Sequence, residues 1–96
     1  MIKRIVKMSF HPEKIDEFKT VFHENKVFIS SFKGCKLVDL MQDKNNPCIF
    51  FTYSIWESEN FLEEYRKSAL FESVWAKTKI LFNDKPEAWT VADVKF

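Results

Sequence analysis

Three observations predict an α+β fold for this chain. Period-two apolar alternation opens the sequence. A long apolar stripe at helical spacing follows it. Two β-rich runs then flank a dense turn signal, before a second helical stretch and a last alternating segment. In order these read β-α-β-β-α-β, the ferredoxin-like plan, in which a four-stranded antiparallel sheet carries both helices on one face. With 96 residues, the chain is expected to form one domain spanning 1–96, too short for a second core.

The first strand is read over residues 2–10. Ile2, Val6, Met8 and Phe10 share one face with Arg4 among them, and Lys3, Ile5, Lys7 and Ser9 share the other. Pro12 suits a first helical position, and Glu13 complements the dipole of the first turn. The helix then runs to about Phe32. Its stripe is Ile15, Phe18, Phe22, Ile29 and Phe32, widened by Val21 and Phe28, with Asn25 filling the gap. Gly34, the only glycine, is placed to stop it.

Cys35–Gln42 reads as the second strand and Cys48–Trp56 as the third, joined through Asp43-Lys44-Asn45-Asn46-Pro47. Ser58 is expected to cap the second helical region, which carries Phe61, Leu62 and Tyr65. Ser68 would restart or kink it before Phe71, Val74, Trp75 and Thr78 continue the spacing. Pro86 blocks further helix, and Ala88–Val94 forms the last strand.

Strands two and three are apolar on both faces: Phe51, Tyr53 and Ile55 alternate with Phe50 and Trp56, and Leu37 and Met41 with Val38 and Leu40. Helices on one face leave the other needing cover. With 46% hydrophobic residues, 11 Phe and 3 Trp on so short a chain, the surplus points to a partner, a pocket, or both. Packing of one sheet on another in a homodimer would supply the cover.

Composition also excludes. Fifteen basic and fourteen acidic side chains give +1 without blocks, so no basic face invites nucleic acid. No apolar run approaches the ~20 residues of a membrane span. The N-terminus lacks a signal-peptide core. Cys35 and Cys48 lie at opposite ends of one hairpin, roughly 23 Å apart at ~3.3 Å per residue, beyond the ~7 Å reach of a disulfide. A reducing, cytoplasmic setting is therefore expected. His11 and His23 have no Cys or carboxylate at metal-ligand spacing, so no metal is expected. No motif activates a serine, and a lone glycine builds no phosphate cradle.

Phe32-Lys33-Gly34-Cys35, Trp56-Glu57-Ser58 and Tyr65-Arg66-Lys67-Ser68-Ala69-Leu70-Phe71, in this strand order, resemble the antibiotic-biosynthesis-monooxygenase-like family of dimeric α+β barrels. The resemblance implies two sheets packed face to face, one per subunit, and a pocket between sheet and helices in each. Some members oxygenate phenols or hydroquinones with O2 and no metal or flavin cofactor, and others cleave haem. The haem-cleaving branch has a Trp and an iron-ligating His where this chain has Tyr65 and Trp75, and an Asn near Val6. Those departures argue against haem cleavage.

The function implied is a cofactor-independent monooxygenase acting on a small phenolic, quinol or polycyclic substrate. The alternative is a non-catalytic small-molecule-binding module of the same fold. Candidate wall residues are Trp56, Phe61, Phe71 and Trp75. Tyr65 would position a substrate hydroxyl, Asn25 would hydrogen-bond a substrate carbonyl, and His23 or Arg66 would favour an anion. Each has a plainer reading: aromatics at helical spacing are often core, a buried amide can close on backbone, and His23 lies off the apolar stripe.

Overall fold

The computed structural model describes residues 1–96. Its elements are β1 (Ile2–Ser9), α1 (Ile15–Ser30), β2 (Cys35–Gln42), β3 (Ile49–Trp56), α2 (Glu59–Arg66), α3 (Ala69–Lys79) and β4 (Glu87–Val91). The sheet order is β2-β3-β1-β4, and every neighbouring pair is antiparallel. This is the expected α+β, ferredoxin-like sheet, with β1 and β3 at its centre.

Several boundaries differ from expectation for local reasons. The first helical region opens as a 3-10 turn over Pro12–Lys14, and α-helical bonding begins at Ile15. It ends at Ser30, two residues before Phe32, because Phe32 and Gly34 build the turn into β2. In that turn Cys35 N–H donates to the Phe32 carbonyl at 2.9 Å, and Glu57 N–H donates to the Gly34 carbonyl at 2.8 Å. Gly34 sits at φ 87°, and a Cβ there would overlap the ring of Phe61. Both facts require glycine.

Ser58 occupies the N-cap position of α2 with extended backbone, yet its hydroxyl makes no capping bond. Ser68 does both jobs instead. Its Oγ accepts from Phe71 N–H at 3.1 Å and donates to the Tyr65 carbonyl at 2.6 Å, ending α2 and starting α3. Phe28, read as part of the buried stripe, is 59% exposed, because α1 turns only Phe18, Phe22 and Ile29 fully inward. β4 is shorter and earlier than read, since β1 offers it partners only from Lys3 to Lys7.

The core joins Met8, Phe10, Phe18, Phe22, Ile29, Val38, Phe50 and Leu81. Phe10 and Phe18 stack with ring centres 4.1 Å apart, and Phe50 meets both edge-on. These residues define the helix-covered face of the sheet. By alternation and register, Ile5, Leu37, Phe51, Tyr53, Ile55 and Trp89 face the other way. No element of the chain covers that second face, and Met41 and Trp89 on it are 48% and 43% exposed. Strand three is thus two-faced as the sequence suggested, and its odd-numbered side is the open one.

Candidate functional site

Register places three rows of side chains on the helix-covered face at one end of the sheet. Ala88, Val6, Thr52 and Leu40 form one row, and Thr90, Arg4, Ser54 and Val38 form the next. Ile2, Trp56 and Cys35 close the end. The middle of the sheet is therefore floored by short polar residues and one arginine, between the bulky Phe50 and Trp56. Small side chains there leave space that the helices above do not fill.

That space is a cavity of about 340 Å³, at the lower end of the ~300–1,000 Å³ usual for small-ligand pockets. Fourteen of its 21 lining residues are hydrophobic, so an apolar ligand would be desolvated on entry. Val21, Phe22 and Ile29 of α1 wall one side, and Leu62, Tyr65, Phe71, Val74 and Trp75 of α2 and α3 wall the other. The break at Ser68 lets α2 and α3 approach the sheet separately, which brings Tyr65 and Trp75 to the same space.

The rings are held by one another. Trp56 and Tyr65 stack at 5.1 Å with planes 27° apart, and Phe32 and Phe71 meet Tyr65 edge-on at 5.4 and 5.3 Å. Phe71 and Trp75 lie parallel within 9° at 6.1 Å. Such contacts are worth about 0.5–1.5 kcal/mol each beyond burial and fix ring orientation. Burial above all, and then the neighbouring Cys35, pushes the Tyr65 phenol up to about 12. At neutral pH it is a hydrogen-bond donor and not a base.

The polar groups are few. Trp56 Nε1 donates to Ser54 Oγ at 2.9 Å, and Thr78 Oγ1 donates to the Val74 carbonyl at 2.7 Å. Arg4 donates to Thr90 Oγ1 at 2.8 Å. Burial first, and then the like charge of Arg66, lowers the Arg4 pKa, with Glu63 opposing. Arg66 also lines the cavity while pairing with Glu63 at 3.1 Å on the surface. No group of three or more His, Cys, Asp or Glu side chains converges as a metal site would require.

Of the residues read from sequence, Trp56, Tyr65, Phe71 and Trp75 line the cavity together. His23, Asn25 and Phe61 do not. His23 is exposed on α1, about 100° around the helix from Phe22 of the stripe. The Asn25 amide turns back along its own helix and donates to the Val21 carbonyl at 2.7 Å. Phe61 packs on Gly34, with the Lys33 ammonium 5.7 Å above its ring. Ser54, Thr52, Thr78 and Arg4 also line the cavity. Local pattern assigns them no site role, because their placement depends on strand register and helix packing.

The sequence pattern of the family described as antibiotic biosynthesis monooxygenase matches residues 1–77. No curated protein matches the chain. Among solved structures, an antibiotic biosynthesis monooxygenase superposes with TM-score 0.92 at 19% identity, covering 99% of this chain and 100% of that one. A conserved protein from Methanosarcina mazei Go1 gives 0.90 at 21% identity, over 94% and 89% of the two chains. A protein from Mycobacterium tuberculosis gives 0.89 at 15% identity, over 99% and 96%. Identities this low speak to the fold alone.

Proposed function

Since the chain belongs to the antibiotic biosynthesis monooxygenase family, we propose that it is a cofactor-independent monooxygenase acting with O2 on a small phenolic or quinol substrate. The observation that carries this reading is the apolar cavity walled by Trp56, Tyr65, Phe71 and Trp75. An aromatic ring fits between such walls by stacking, and water is excluded from the reacting face.

In this chemistry the substrate supplies the electrons. A phenol loses its proton, and its electron-rich ring carbon reacts with O2 to form a C–O bond. The O–O bond then breaks with departure of water, leaving a quinone. One phenol and one O2 give one quinone and one water. The chain's part is to hold the ring, exclude solvent and donate to the developing oxygen charge. Neutral Tyr65 suits that last task, because a phenol held near 12 keeps its proton.

Oxygen-electrode assays over a panel of hydroquinones, naphthols and anthrones test this. Substrate-dependent uptake of one O2 per quinone formed is expected. No uptake across the panel overturns the oxygenase reading.

A specific observation favours a second reading, a binding module without turnover. Glu87 is the one acidic residue on the cavity lining, its side chain shares the open face with Lys7, and His23 lies elsewhere. No buried base is therefore poised to start a proton transfer. Thermal-shift screening that finds a ligand, recovered unchanged after incubation in air, would establish that reading. Under either one, we propose that two copies pack their open sheet faces together, burying Phe51, Tyr53 and Ile55. The free thiols of Cys35 and Cys48 suit a cytoplasmic setting. No helix is long and apolar enough to cross a membrane.

A further inference from the structure

The cavity floor carries a charge that its own chain does not neutralise. Arg4 is only partly exposed and lies on the central strand β1, among Ile2, Val6 and Met8 on the helix-covered face. Its side-chain hydrogen bond goes to the neutral hydroxyl of Thr90. A guanidinium has five N–H donors, so most of its capacity is unspent. Five ion pairs form within the chain, and Arg4 is in none of them. A half-buried charge without a counter-ion is costly, and an apolar surround strengthens its attraction for any anion that reaches it.

Ser54 sits directly opposite Arg4 in the β1–β3 register, so their Cβ atoms are about 4.5–5.5 Å apart. Its oxygen accepts the Trp56 indole N–H. That bond leaves the hydroxyl proton free to donate in turn. Both residues line the cavity, as does Arg66, which is more exposed and already shared with Glu63. Glu87 on β4 shares the open face with its register partner Lys7, so its carboxylate is turned away from the floor. Glu63 is the carboxylate that acts on Arg4, and it is already paired with Arg66, which leaves the innermost position positive.

We infer that the Arg4 guanidinium and the Ser54 hydroxyl hold an oxyanion of the aromatic ligand, with Arg66 as the outer, more weakly acting charge. The oxyanion is a carboxylate or phenolate carried on a planar ring. The ring lies against Tyr65 and Trp75 while its charged edge reaches the floor. Burial first, and then the like charge of Arg66, disfavour the Arg4 cation, and an anion seated between the two guanidinium groups and the floor offsets both. This rests on the cavity being the ligand site and not on any turnover there.

The test uses the full chain and matched probes. Quenching of tryptophan fluorescence, with Trp56 and Trp75 on the lining, measures affinity for 2-naphthoate and its neutral counterpart 2-naphthamide. The carboxylate is expected to bind at least tenfold tighter. Arg4→Met should erase that preference while leaving 2-naphthamide affinity unchanged, which also shows that the variant is folded. Arg66→Gln should reduce it only two- to threefold. In a parallel arm, 4-nitrophenol reports phenolate by its yellow ionised form, enriched on binding to the wild type and not to Arg4→Met. The arm that shows the Arg4 dependence identifies the oxyanion. Equal affinities with no enrichment of phenolate, or a preference that survives Arg4→Met, overturn the inference and leave the aromatic cavity standing. If no probe binds, the cavity reading fails with it.

Discussion

Trp56 donates its indole N–H to Ser54 Oγ at 2.9 Å, two residues back along β3 on the same face. Trp56 is 1% exposed and Ser54 is 8% exposed, so each is the other's partner within the fold. Ser54→Ala leaves the indole donor orphaned, and a buried unsatisfied donor costs about 1–3 kcal/mol. Urea denaturation should show that loss with an unchanged slope. A loss below about 0.5 kcal/mol would mean that the indole finds another acceptor.

Gly34 meets two demands at once, a positive φ and contact with Phe61. Gly34→Ala is expected to destabilise by about 2 kcal/mol or more, combining left-handed strain with the clash. Phe61→Ala removes only the clash. The double variant should therefore be more stable than the sum of the single effects predicts, a coupling of about 0.5–3 kcal/mol. Strict additivity in denaturation measurements would remove Phe61 from the explanation.

Tyr65 gives the fold a pH dependence. Its phenol ionises near ~10 in an unfolded chain and is pushed up to about 12 in the fold by burial, then by Cys35. The stabilising contribution of the neutral ring is complete below the unfolded value and is lost as pH rises through the folded one. Between pH 10 and 12 the wild type should lose up to about 2 kcal/mol relative to Tyr65→Phe, allowing for its partial exposure. Parallel stability–pH curves for the two proteins would contradict the burial of that hydroxyl.

The open sheet face offers the test of self-association. Phe51 lies on β3 between Met41 of β2 and Lys7 of β1. Phe51→Lys would place a second ammonium beside Lys7 inside a sheet-to-sheet interface, costing about 3–5 kcal/mol. Light scattering at low micromolar concentration should report twice the chain mass for the wild type and one chain mass for the variant. A wild-type monomer would refute the dimer.

The strands were legible because alternation and β-branched or aromatic content act locally, and the Asp43–Pro47 turn separates β2 from β3 plainly. The break at Ser68 was legible for the same reason, as capping involves neighbours in sequence. Ser58 looked equivalent, but a good cap residue in an extended conformation can still leave its bond unmade. Phe61 was misplaced because its partner, Gly34, is distant in sequence, and helical spacing cannot distinguish a turn from a cavity.

Asn25 and Arg4 make the sharpest contrast, since both are polar residues on apolar faces. On a helix the carbonyl four residues back is within reach, so Asn25 closes on Val21 and loses interest as a ligand group. In a central strand both flanks of the backbone are engaged in the ladder. Arg4 can therefore reach only across the sheet, to Thr90, or into the cavity. The same surprise in sequence thus means different things in a helix and in a strand.

Thr52 and Ser54 stand between Phe50 and Trp56 on the covered side of β3, and they divide the molecule into unequal halves. Around Phe10, Phe18 and Phe50 the rings lock and resist alteration. Around Thr52 and Ser54 the sheet has already given up bulk, so a modest change of side chain there reshapes the hollow without unpicking the lock. The shape of the hollow can drift at one end of such a chain while the other end keeps it folded, which gives this small architecture room to diversify.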